Sequence, residues 1–565
     1  MILEKKNNYY FVCIIILSIV FFNYTKKLDS KEDEFFSKSY YGSILSGQIA
    51  NYNNDTENAA MFFNHANKLN PSNPKLYNLS IMSLLLNGKV DEAIKKVKVY
   101  KKLKNYAASS KKQMALSELL LFIDLVNKSK YESAIKVLDS KKDIIISDKL
   151  VPILKAWLSS DYKKAKDNLD MYEYRSEGLA LSELYYYHLA ILASYYNKKK
   201  IAFNAFNASL KDLTTEKIRT LYFYNVFLKN NSEYIDSNKH IESFIKKNKS
   251  HSFTIYLKEN NSEKFLINDK KKGISETMYN LAESLYGQGL YDTSIIFCQI
   301  SLYLNQKNLV AKYLLAQNLQ VLNKKNKAIS VLETINLSDY LGWNSHLRIS
   351  DLYLDMKDYK NAKKYLIDLK DFKSNRMDLF YKMGELYHSK KDYVKAIQSF
   401  NSGINLIKEK KKANWYMYYS RGMSYERANK WEKAEKDFLY ALELYPDQPL
   451  VLNYLGYTWI DLGKNLEKAK ELINKAVKLR PNDGYFVDSL GWAHYRMGNY
   501  KEAVLKLEKA VTLIPNDPII NDHLGDALWR AGFQNEAVFQ WNRSLLYNPE
   551  TELKEKIKFK LKKGL

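Results

Sequence analysis

The chain has 565 residues, with 88 Lys and Arg against 63 Asp and Glu, a formal net charge of +25 and two cysteines. Two cysteines exclude a disulfide framework and a cysteine-based zinc site. The charge invites a nucleic-acid reading, but no recognition motif accompanies it. Lys outnumbers Arg 78 to 10 and is spread along the chain, as in Lys95-Lys96, Lys163-Lys164 and Lys363-Lys364, so a solvated cationic surface is the preferred reading.

In chain order, residues 1–8 carry Lys5 and Lys6 and form a positive n-region, expected on the cytoplasmic side. The uncharged run YYFVCIIILSIVFF follows at 9–22, the layout of a signal peptide or a short signal-anchor. Fourteen apolar residues are marginal for crossing a bilayer, although flanking Tyr and Lys extend the reach by snorkelling. No small-x-small pattern follows Phe22, and Cys13 has no small residue before it to mark lipid attachment. An uncleaved inner-membrane anchor is therefore expected, with cleavage and release to the periplasm as the alternative. With the lysines kept inside, the rest of the chain lies across the membrane, which for a bacterial source is the periplasm.

Residues 40–110 read as two repeat-like units, with Gly47, Ala59, Phe63, Ala66 and Pro71 in the first and Tyr77 and Ala93 in the second. Over 111–274 helical periodicity continues, as in Tyr131/Ala134/Leu138 and Ala202/Phe206, without a frame that fixes the repeat count. From 275 to 549 the frame is regular. A small residue recurs at Ser294, Ala328, Ala362 and Ala396, then at Ala434, Ala469, Ala503 and Ala537, mostly 34 apart. A period of this size means stacked copies of one supersecondary unit.

The unit is two short amphipathic helices. In 484–517 the first carries Val487, Leu490 and Gly491 and the second Ala503, Val504, Leu507 and Ala510, each set on one stripe. Gly491 and Ala503 are small where the helices cross closely. Gly498-Asn499 breaks the chain between them, Pro515 stops the second, and Pro518 opens the next unit. One hairpin cannot bury its apolar face alone, so neighbours stack. The predicted fold is all-α, a superhelical solenoid of antiparallel helix pairs, with the N-terminal signal-anchor helix before it. Residues 550–565 form a last amphipathic helix, with Leu553, Ile557 and Leu561 on a stripe, expected to cap the stack.

The pattern of Leu-Gly, Tyr, Ala, Phe, Ala and Pro in this frame resembles the tetratricopeptide repeat (TPR). Clear copies are Met383-Gly384 with Tyr387, Tyr393, Ala396 and Phe400, and Gly422 with Tyr425, Trp431, Ala434, Phe438, Ala441 and Pro446; Leu455-Gly456, Leu490-Gly491 and Leu524-Gly525 open the last three. One residue is inserted near Gly463-Lys464-Asn465 and about four near Lys408–Lys412. The runs NYLGYTWID, DSLGWAHYRMGNYKEA and DHLGDALWRAGFQNEAVFQWNRSL, within about 450–549, resemble a narrower group of proteobacterial envelope TPR proteins. The resemblance implies an adaptor role, because some members bring substrates to carboxyl-terminal processing proteases.

No nucleotide-binding glycine loop, histidine pair at metal spacing or nucleophile elbow occurs. No enzyme activity, catalytic residue, metal or cofactor is expected. Asp522-His523 with Asp526 is the only acid/base cluster, and it reads as a set on a repeat helix rather than an active site. Function then falls to surface. Laying the frame over the chain predicts that first helices line a concave groove, with Tyr419 and Met423, then Asn453 and Tyr457, then Asp488, Trp492, Tyr495 and Arg496, then Asp522, His523, Asp526, Trp529 and Arg530 facing inward. Asn453, Asp488 and Asp522 recur as acceptors for an extended peptide, and the aromatics supply anchor surface. Two of these three are acidic, so basic or amide-rich partners fit better than a C-terminal carboxylate. The partner is expected to be a protein or extended peptide, an envelope protease or its substrate among the candidates. A peptidoglycan-associated binder and a cytoplasmic TPR regulator are the other readings.

Overall fold

The computed structural model describes residues 39–565 apart from 54, 72, 103–110, 141–149, 176–178, 212–216, 249–250, 259–266 and 410. The expected anchor at 9–22 lies outside the described residues. No described helix is long and apolar enough to cross a membrane. All regular elements among the described residues are helices, and they divide into two units, the first ending at Leu341 and the second running Gly342–Leu565.

The first unit is built from helix pairs such as Tyr40–Tyr52 with Thr56–Leu69, Pro74–Leu86 with Val90–Tyr100, Leu179–Tyr195 with Lys199–Ser209, and Lys270–Gly287 with Tyr291–Leu304. Its helices do not only follow one another. Helix Lys270–Gly287 returns to pack on Val151–Leu158, where a Cβ at Gly273 would lie 2.1 Å from the Trp157 ring. Helix Tyr291–Leu304 returns to Pro74–Leu86, and the Tyr303 hydroxyl donates to Asp91 at 2.8 Å. A buried polar network ties the returning segment in place. Glu276 accepts from Arg219 Nε at 3.0 Å and Nη2 at 2.8 Å, and from the Tyr187 hydroxyl. Burial opposes ionisation of Glu276, but the Arg219 guanidinium outweighs it and holds the carboxyl below its ordinary value. Tyr340 stacks on Tyr222 with centroids 4.2 Å apart.

This arrangement divides the regular stretch that the spacing treats as one array. The rungs Ser294 and Ala328 belong to the first unit, and the rungs from Ala362 onward belong to the second.

The second unit comprises α1 (Gly342–Asp355), α2 (Tyr359–Phe372), α3 (Met377–Ser389), α4 (Tyr393–Ile404), α5 (Trp415–Arg427), α6 (Trp431–Leu444), α7 (Pro449–Asp461), α8 (Leu466–Leu479), α9 (Gly484–Arg496), α10 (Tyr500–Leu513), α11 (Pro518–Arg530), α12 (Gln534–Leu546) and α13 (Thr551–Lys563). Odd and even helices alternate as antiparallel partners. Each rung alanine from Ala362 to Ala537 is fully buried at the crossing. The facing glycine is small for a reason that can be measured. A Cβ on Gly525 would lie 2.4 Å from Trp541 Cδ1, and one on Gly491 2.6 Å from Leu507 Cγ.

Helix ends follow from local chemistry. Asp483 and Asp517 accept backbone N–H groups at the starts of α9 and α11, and Pro518 occupies the first turn of α11, where no intrahelical donor is lost. Each corner between partners closes through a left-handed residue, among them Lys391, Asn429, Gly463, Gly498 and Gly532, with a backbone bond back to the helix such as Phe533 N to Leu528 O at 2.9 Å. The corner with an inserted residue holds a second left-handed position, Asn465 at φ 49°, which absorbs the insertion without disturbing Ala469.

Candidate functional site

First helices of the second unit touch one another along one face. Trp343 of α1 donates from Nε1 to Asp378 of α3 at 2.9 Å. Tyr419 of α5 meets Tyr454 of α7 edge-on at 5.8 Å. Trp492 of α9 stacks on His523 of α11 at 4.1 Å and 16°. These contacts join first helices of neighbouring repeats at different heights along the helix.

Within this face Tyr419 and Met423 are half-buried against the Trp415, Phe438 and Tyr454 cluster. Asn453 and Tyr457 of α7 are half-buried, and the Asn453 Oδ1 is shut from water with no hydrogen-bond partner. Burial, with Asp461 and Asp488 nearby, pushes the Tyr457 phenol up to about 12, so it stays a neutral donor and acceptor. On α9 the Trp492 ring also stacks on Tyr495 at 4.6 Å, and its Nε1 is buried without an acceptor. Arg496 is exposed and donates to the Asp461 carbonyl at 3.2 Å. Arg530 is exposed and lies in hydrogen-bond contact with the Tyr495 hydroxyl.

The acidic residues occupy a different setting from the open acceptors that the frame suggests. Asp488 is 6% exposed and accepts from His523 Nδ1 at 3.0 Å. Burial disfavours the imidazolium, yet Asp488, helped by Asp522 and Asp526, outweighs it and raises the His523 pKa. Asp522 and Asp526 are likewise buried, and Lys560 of α13 inserts between them with Nζ at 2.7–2.8 Å from all four carboxylate oxygens. Asp526 also accepts from Trp541 Nε1 at 2.9 Å. Trp529 is half-buried, tilted on Trp541 at 5.3 Å, with Gly564 against its ring.

The structure thus separates the thirteen predicted residues into two groups. Tyr419, Met423, Asn453, Tyr457, Trp492, Tyr495, Arg496 and Arg530 reach the surface of one face. Asp488, Asp522, His523 and Asp526 lie beneath it, and Trp529 is covered by the last helix. Lys560 is the residue of this arrangement that sequence reasoning passes over. It lies 34 residues beyond Asp526 with opposite charge, a signal visible in the repeat frame. A separate cleft of about 550 Å³ lies between α10, α11 and α12, lined by Val511, Leu524, Leu528 and Phe539, and includes none of the predicted residues.

Short antiparallel helices repeated at this period, with first helices sharing a face, define an α-helical repeat protein. Family profiles described as tetratricopeptide repeat match residues 344–373, 415–448 and 488–517, so the second unit carries tetratricopeptide repeats. Such repeats are typically protein-interaction scaffolds and generally non-catalytic. The chain is 37% identical over 109 residues to TPR repeat-containing protein PA4667 of Pseudomonas aeruginosa, covering 19% of this chain and 18% of that relative. It is 25% identical over 238 residues to TPR repeat-containing protein YpiA of Bacillus subtilis, covering 42% and 54% respectively. The chain therefore spans less than two thirds of either relative. Among solved structures, a chain of the APC/C hetero-tetramer Cut9-Hcn1 aligns over 94% of this chain and 97% of that one, at 14% identity and a TM-score of 0.39.

Proposed function

We propose that this protein is a non-enzymatic scaffold or adaptor of the bacterial cell envelope that binds partner proteins or extended peptides on the first-helix face of its second unit. The observation that carries the reading is the set of partly exposed aromatic side chains on successive first helices, Tyr419 on α5, Tyr457 on α7, and Trp492 and Tyr495 on α9. An extended peptide carries a donor and an acceptor at every residue to meet the protonated Tyr457 hydroxyl, while Tyr419, Tyr457 and Trp492 offer aromatic area.

The envelope setting rests on the composition of 9–22 and on the resemblance of about 450–549 to envelope TPR adaptors. In this reading the repeats stand in the periplasm, held by the N-terminal segment, and bring substrates to an envelope protease. The test is in-cell crosslinking from Asn453 and Tyr457 positions, followed by identification of captured proteins, with protease accessibility before and after breaching the outer and inner membranes. Capture that persists unchanged in a Tyr457→Ala/Trp492→Ala variant overturns the binding face. Digestion of the repeats only after the inner membrane is breached overturns the compartment. Loss of peptidoglycan binding with protein capture intact moves the ligand to a glycan.

A further inference from the structure

Helix α13 differs from the other first helices in how it is held. It buries one of its thirteen residues, Ile557, against three of thirteen in α3, four in α5 and nine in α11. Phe559 is 58% exposed, and Lys554, Lys556, Lys558, Lys562 and Lys563 face solvent. Its hold on the unit comes from Ile557, the half-buried Leu553 and Leu561 beside it, and Lys560. The Lys560 side chain is 13% exposed and each of Asp522 and Asp526 7%, so the ammonium closes a pocket whose two carboxylates share one face of α11.

Two neighbouring buried carboxylates are satisfied by a shared proton or by a cation, because each disfavours ionisation of the other, and here the Lys560 ammonium bonds all four oxygens. The pocket therefore accepts an ammonium delivered by a helix with an aliphatic residue one turn earlier, and the chain supplies that combination itself. We propose that α13 is a displaceable internal ligand, an autoinhibitory helix that a partner's cationic amphipathic helix replaces at Asp522 and Asp526. Displacement uncovers Trp529 and lengthens the first-helix face by one repeat. The inference rests on reading that face as a protein-binding surface, and adds the chemistry of the partner at its end.

The experiment uses the full chain and a fluorescent synthetic peptide of residues 551–565. In the unaltered chain the pocket is occupied and the peptide binds weakly. In an Ile557→Ser/Lys560→Ala chain the resident helix is released, and affinity rises at least tenfold in fluorescence anisotropy. Adding Asp522→Asn and Asp526→Asn to that chain abolishes the gain. Equal affinity for released and unaltered chains, or a gain that survives the Asn substitutions, overturns the proposal. If the released chain does not fold, hydrogen exchange on the unaltered chain decides. Excess peptide then accelerates exchange of the 551–563 amides while those of α11 stay protected, and no acceleration overturns it. Crosslinking at Asn453 and Tyr457 is a separate readout, so failure here leaves the binding face standing.

Discussion

His523 donates its Nδ1–H to both oxygens of Asp488, at 3.0 and 3.1 Å, across the first helices of adjacent repeats. Burial of the ring opposes its charge, but Asp488, Asp522 and Asp526 together raise its pKa above the ordinary 6.5. A histidine with a raised folded-state pKa contributes its full stabilisation below the unfolded value, and that contribution is lost as pH rises through the raised value. The second unit should therefore lose stability on moving upward from pH 6.5, and a His523→Asn chain should lose less over the same window. Thermal melts of both chains across pH 6 to pH 9 check the sign. At pH 6, His523→Ala leaves Asp488 buried and unpaired and should cost about 3 kcal/mol.

The crossing of α11 and α12 makes a sharper stability prediction. A Cβ at Gly525 falls 2.4 and 2.5 Å from Trp541 Cδ1 and Nε1. Trp541 is fully buried and donates to Asp526, so it cannot retreat without breaking that bond. Gly525→Ala should destabilise by about 1–3 kcal/mol through overpacking. Gly532→Ala, at a corner with open space but a φ of 94°, should be costly through backbone strain alone. Chemical denaturation separates the mechanisms in double-mutant cycles, because Trp541→Phe should couple favourably with Gly525→Ala and should not couple with Gly532→Ala.

In the first unit, Arg219 and Glu276 form a buried bidentate pair that joins helices far apart in sequence. Arg219→Ala leaves the 1%-exposed Glu276 carboxylate without its cation and should cost about 3–5 kcal/mol. Glu276→Gln keeps one acceptor oxygen for Tyr187 and Arg219 Nε but turns an amide N–H₂ toward Arg219 Nη2 and leaves that buried guanidinium without its anion, so it should also destabilise. A double-mutant cycle by denaturant titration gives the coupling, and a coupling near zero would show that the returning segment is held by apolar packing around Trp157 instead.

These two units show what a repeat period reveals and what it does not. The buried alanine rungs, the glycine facing Leu507 or Trp541, and the corner residues were legible because each recurs at a fixed offset. The return of 270–304 onto much earlier helices was not, since Tyr303 and Asp91 lie 212 residues apart and no period links them. The candidate face was legible as a set of positions. Which of those positions remain open was not, because that depends on a neighbour. Asp488 is closed by His523 one repeat on, and Asp522 and Asp526 by Lys560, a residue of a helix read only as a cap.

Trp492 separates a binding role from a packing role within one side chain. Its ring stacks on His523 and Tyr495, which is packing that a smaller aromatic partly keeps. Its Nε1 is buried with no acceptor, so removing that donor loses no hydrogen bond within the protein. Trp492→Phe should therefore change stability by about 1 kcal/mol or less. If a partner packs on the exposed part of the indole, the same substitution should weaken partner capture about tenfold, equivalent to about 1.4 kcal/mol. Arg496→Ala, on the same helix but exposed and paired with Asp461, should change capture less, since a rim charge mostly affects the rate of encounter. Parallel melts and capture assays on the two variants decide the point. A Trp492→Phe chain that melts early but captures normally would make the indole a packing residue.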